Sequence, residues 1–86
     1  MEEDKKTTPE VDFSTFLVSL ATQTMMLLGE VPNEHVEVNI PAAKQTIDII
    51  AMLEEKTKGN LNQQEEKLVS EVLSSLRMAY VNKSKN

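Results

Sequence analysis

Residues 13–29 read FSTFLVSLATQTMMLLG, and not one of them carries a charge. Apolar residues recur at three- and four-residue steps: Phe13, Phe16, Leu17, Leu20, Ala21, Leu27 and Leu28, with Thr24 filling one turn. That spacing predicts an α-helix with one face turned to a core. Val18, Met25 and Met26 widen the apolar sector beyond what one neighbouring helix covers. Ser14, Thr15, Ser19, Thr22 and Gln23 make the opposite side polar but still uncharged. Asp12 stands where a carboxylate accepts the orphan amides of a first helical turn and suits its positive end. Gly29 fits the left-handed residue that closes a helix, and Pro32 blocks an immediate restart.

Glu30 to Asn39 is a connection. Its second half, His35-Val36-Glu37-Val38-Asn39, alternates polar and apolar, as a short extended segment able to pair with a second copy would. A second helix is expected to start near Asn39-Ile40-Pro41. Proline is accommodated in a first turn, and Ile40 before it is steered away from helical angles, so the cap lies at Asn39 or Ile40. The buried face is Ala43, Ile47, Ile50 and Leu53, widened by Ala42, Thr46 and Ile49. Lys44, Gln45, Asp48, Glu54 and Glu55 face water. Lys56 and Lys58 suit the negative helix end, and Gly59 stops it.

Asn62-Gln63-Gln64-Glu65 has the pattern of a capping box, with Asn in place of the usual Ser or Thr. Leu61 before it can pack on the side of Glu66 or on Leu53. The stripe Leu68, Val69, Val72, Leu73, Leu76, Ala79 and Tyr80 follows at helical spacing, Ser74, Ser75 and Arg77 face outward, and Val81 ends the pattern. The link Gly59-Asn60-Leu61 is short enough to make helices two and three antiparallel neighbours. The expected fold is therefore all-α: helix one packed on a hairpin of helices two and three, completed by dimerisation. Residues 12–81 form one helical domain, 1–11 a loose charged tail and 82–86 a polar tail.

A chain of 86 residues sets one domain as the ceiling and gives a marginal single-chain core. It has no cysteine, which removes disulfides, thiolate zinc sites and cysteine nucleophiles together. Small folds without such staples rely on helix packing or oligomerisation. The net charge of −5 has the wrong sign for a phosphate-binding surface, and two Phe and one Tyr are too few for base stacking. No nucleic acid partner is expected. Residues 13–29 sit at the short limit of about 17 residues for a membrane span, carry six Ser, Thr or Gln residues and lack basic or aromatic anchors. No membrane partner is expected either, and the mixed-sign start MEEDKKTTPE has no signal-peptide order, so the expectation is cytoplasmic.

The stretches Phe13-Ser14-Thr15-Phe16-Leu17, Ser19-Leu20-Ala21, Leu28-Gly29-Glu30 and Ile40-Pro41-Ala42-Ala43-Lys44-Gln45-Thr46-Ile47-Asp48 carry a resemblance. So do Glu55-Lys56-Thr57-Lys58-Gly59-Asn60-Leu61 and Leu76-Arg77-Met78-Ala79-Tyr80-Val81. In this order they resemble a group of short bacterial proteins, the domain-of-unknown-function family 1844. The resemblance implies a small helical bacterial protein and implies no activity.

The reactive groups do not converge in the sequence. His35 is the single histidine, with only Glu34 and Glu37 beside it, where a zinc site needs a defined cluster. Glu54, Glu55, Glu65, Glu66 and Glu71 fall on expected exposed faces, where nothing tunes a carboxyl for acid–base work. Lys56-Thr57-Lys58-Gly59-Asn60 lacks the order of a phosphate loop and follows a helix instead of preceding one. No cofactor, metal or catalytic residue is expected, and the protein reads as a non-enzyme. Arg77, Lys83 and Lys85 form a small basic end that suits a helix C-terminus.

The sequence points instead to contact surfaces. Phe13, Phe16, Leu17, Leu20, Met25, Met26, Leu27 and Leu28 are the candidate interface, and Lys44, Gln45 and Asp48 a candidate exposed recognition patch. The leading expectation is a self-associating interaction or scaffold module, a C2 homodimer being the commonest form. The alternatives are a monomeric adaptor that docks an unidentified protein through the same helix face, and a membrane-surface helix. The last usually carries Lys or Arg on its polar face, which this helix lacks.

Overall fold

A computed structural model describes residues 11–31 and 33–85. Three helices follow one another: α1 (Phe13–Leu28), α2 (Ile40–Lys56) and α3 (Gln63–Ser84). Among the described residues there is no strand, so the all-α expectation holds. Each helix packs against both others. The Asn39 amide donates to the Leu27 carbonyl at 2.8 Å, which sets the start of α2 beside the end of α1. Glu30, just past α1, pairs with Lys83 near the end of α3 at 3.8 Å. Helices α1 and α3 therefore run in the same sense and α2 runs against both.

The helix starts are built by side chains that the sequence marks. Asp12 Oδ1 accepts the Thr15 amide at 2.7 Å. Asn39, not Ile40, caps α2: its Oδ1 accepts the Ala42 amide at 3.0 Å, and Pro41 sits in the first turn. Asn62 and Glu65 form both bonds of the capping box, at 2.8 and 3.0 Å. Each cap satisfies an amide that has no carbonyl partner inside its own helix.

The helix ends depart more from expectation. Gly29 takes φ 81°, and its amide reaches the Met25 and Met26 carbonyls, as a left-handed closing residue should. A Cβ there would also press on the Val38 side chain at 3.1 Å. Helix α2 stops at Lys56, before Gly59, with the Thr57 amide and hydroxyl both donating to the Leu53 carbonyl, at 2.9 and 2.6 Å. Gly59, at φ 88°, then turns the chain two residues later. Helix α3 continues past Val81 to Ser84. No Gly or Pro interrupts Asn82-Lys83-Ser84-Lys85, and the Ser84 hydroxyl bonds the Tyr80 carbonyl at 2.6 Å. The segment 1–10, expected as a loose tail, and Pro32 lie outside the described residues.

The connection between α1 and α2 is not a strand. Asn33 folds it into a tight turn: its Oδ1 accepts the His35 amide at 2.7 Å and its carbonyl accepts the Val36 amide at 3.2 Å. An Asn side chain competes in this way with extended pairing. The same residue's Nδ2 donates to Met26 Sδ at 3.4 Å and ties the turn to α1.

The core joins Leu17 of α1, Ile47 and Ile50 of α2, and Val69, Leu73 and Leu76 of α3. Phe13, Leu20, Ala21, Met25, Leu61, Leu68, Val72 and Tyr80 pack around it. Two threonines are buried inside. Thr24 and Thr46 turn their hydroxyls back to the Leu20 and Ala42 carbonyls, at 2.8 and 3.1 Å, so neither leaves an unpaired polar atom.

Two outcomes follow. Leu17 is fully buried, so Leu17→Ala should lower unfolding stability by about 3 kcal/mol; in urea titrations, Thr22→Ala at an exposed position should stay within about 0.5 kcal/mol of wild type. The Thr15 amide holds the Asp12 carboxyl below its ordinary range. The cap's contribution is then present above the unfolded value and lost as pH falls through the lowered folded value. Acid titration of the Thr15 amide resonance should show this fraying of α1, and Asp12→Asn should abolish its pH dependence.

Candidate functional site

Helix α1 is held by a narrow line. Only Leu17, Thr24 and Leu28 are fully buried on it, one beneath the other along the axis. With about 100° of turn per residue, Phe16, Leu20 and Leu27 fall along one edge of that line, and Val18 and Met25 along the other. The edges are poorly covered: Phe16 is 48% exposed and Val18 51%. Thr15, Ser19, Thr22 and Gln23 on the far side are exposed and neutral. The eight residues expected at an interface therefore divide. Leu17 and Leu28 are spent inside the chain; Phe13, Leu20, Met25, Met26 and Leu27 are half-buried; Phe16 projects.

Helix α2 extends the uncovered apolar surface. Ile49 was expected to widen its buried face, but it is 40% exposed, and Met52 is 46% exposed. Ile49 projects from the flank of α2 turned away from Lys44, whereas Met52 projects from its outer face between Gln45 and Asp48. Sequence periodicity did not separate Phe16 from Leu17, or Ile49 from Ile50. Adjacent apolar residues lie about 100° apart on a helix, and only the position of the third helix decides which is covered.

The candidate recognition patch is open to solvent. Lys44 Nζ and Asp48 Oδ2 pair at 2.9 Å, and Gln45 beside them is exposed. The Asp48 hydrogen bond raises the Lys44 pKa above its ordinary value. Asp48 thus already has a cation, and the pair presents a local zwitterion to solvent.

The remaining polar groups are occupied with helix ends or dispersed. Glu65 serves the α3 cap. Glu55 lies 4.0 Å from Lys58, and His35 lies 3.8 Å from Glu34 with both side chains exposed. Among the described residues no three His, Asp or Glu side chains approach closely enough to share a metal ion. Glu54, expected in water, is half-buried at a shallow pocket of about 240 Å³ with Lys58, Leu61, Glu66 and Val69, where Leu61 folds back toward the first turn of α3. The pocket holds no paired acid and base aimed at a common point. Among the described residues no helix is long and apolar enough to cross a membrane.

The exposed surface is apolar at Phe16, Val18, Ile49 and Met52 and uncharged along the whole of α1. A family model described as Domain of unknown function (DUF1844) matches residues 10–82. No curated protein and no solved structure matches the chain.

Proposed function

The chain belongs to the DUF1844 family of unknown function, and on that premise we propose that it is a non-enzymatic helical module that associates with itself through the uncovered side of α1. The observation that carries this reading is the absence of charge from Phe13 to Gly29 combined with the half-exposed Phe16 and Val18. A solvated helix face ordinarily carries Lys, Glu or Arg, and apolar residues exposed together mark a contact site. A net charge of −5 opposes self-association wherever acidic surfaces meet. Helix α1 is the one helix on which two copies meet without that repulsion.

The reading supplies a role of interaction or scaffolding and needs no cofactor. It also explains the absence of cysteine, since a subunit contact takes the place of covalent staples in stabilising a small core. Light scattering over a dilution series tests it. A mass of twice the 9.7 kDa chain, falling on dilution, is the expected result. A folded monomer at every concentration would refute self-association and leave the face to a different protein.

A further inference from the structure

We propose that the pocket between the end of α2 and the start of α3 binds a small zwitterion, a free α-amino acid with an aliphatic side chain. Its ammonium sits at Glu54 and Glu66, its carboxylate at Lys58 and its side chain on Leu61 and Val69. This site does not depend on the self-association proposed above.

The core stripes of two helices run into this pocket. On α2, Ala43, Ile47 and Ile50 are buried at four- and three-residue steps, and the next position of that series is Glu54. On α3, Val69, Leu73 and Leu76 form the same kind of series, and the position one turn before Val69 is Glu66. Both helices therefore place a carboxylate where an apolar side chain would add a further core layer. The antiparallel hairpin brings these two ends together. Glu54 and Glu66 line one pocket of about 240 Å³ with Lys58, Leu61 and Val69.

Helix-end electrostatics accounts for Glu66 but not for Glu54. Glu66 lies in the first turn of α3, where a negative charge suits the helix dipole. Glu54 lies near the last turn of α2, where the carbonyl end opposes one. Glu54 is also half-buried, which costs a carboxylate part of its hydration. Neither carboxylate has a hydrogen bond or ion pair with another described residue. Lys58 lines the same pocket, but its ammonium lies 4.0 Å from Glu55, outside the lining, and its side chain is 77% exposed. The pocket thus combines two unneutralised acids, an apolar wall and a cation at its exposed rim.

These features define the ligand. Among the described residues no three His, Asp or Glu side chains gather to hold a metal ion, and Leu61 and Val69 offer nothing to a hydrated one. A primary ammonium has three donors, enough to serve both carboxylates. The apolar wall takes an aliphatic group, and Lys58 takes an anion by a charge-assisted bond. The volume falls below the roughly 300 Å³ at which drug-sized sites begin, so the ligand is small. An α-amino acid carries all three groups on one carbon.

Titration of free L-leucine into the isotopically labelled full chain, followed at the amide resonances of Leu61, Glu66 and Val69, tests the proposal. Saturable shifts are expected. Leucinamide lacks the carboxylate, 4-methylpentanoate lacks the ammonium and glycine lacks the aliphatic group, so each should bind about ten-fold or more weakly. Glu54→Gln and Lys58→Gln should weaken leucine binding by a similar factor; the ligand series on the unaltered protein carries the test should either variant not fold. An absence of saturable shifts up to about 50 mM leucine would overturn the site. Equal binding of leucinamide or 4-methylpentanoate, or unchanged leucine binding in folded Glu54→Gln, would overturn the zwitterion assignment.

Discussion

Leu17, Ile50 and Val69 come from three different helices, and each is almost completely buried in one small core. That three-way contact is the constraint on which the rest depends. Helix α1 has no charged side chain to orient it, so its rotation is fixed by apolar packing alone. Placing Leu17, Thr24 and Leu28 inward sends Phe16 and Val18 to opposite edges. With only three helices, nothing within the described chain lies over those edges. Exposure of Phe16 thus follows from burial of its neighbour and is not a local defect.

The hydrogen-bonded ends of the helices complement this packing. Asp12, Asn39 and Asn62 each satisfy a first-turn amide, and Gly29 closes α1 with the Val38 side chain against it. Asn33 holds the connection in a turn anchored on Met26. These contacts fix the chain's path at the helix ends. The central faces are left to apolar contact, and there the third helix decides what is covered.

Much of this was legible in the residues. Asp12, the Asn62–Glu65 pair and Gly29 announce helix boundaries because a cap needs a particular atom at a particular offset. The stop at Thr57 was missed because its hydroxyl bond to the carbonyl four residues back is the same bond that Thr24 and Thr46 form inside their helices. The alternation at His35–Asn39 suggested a strand, but Asn33, just before it, sets a turn. Of the candidate contact surface, the sequence revealed the uncharged helix but not its open edge. Phe16 and Leu17 are equally apolar, and their separation into surface and core is a tertiary fact. Ile49 and Ile50 repeat the same ambiguity on α2.

The proposed covering of this surface by a second copy would make folding and association one equilibrium. The most direct measurement is the thermal unfolding midpoint at protein concentrations spanning about a hundredfold. Mass action stabilises the associated form, so the midpoint should rise with concentration. A midpoint that does not move would mean that one chain folds to its full stability alone, and would contradict the account.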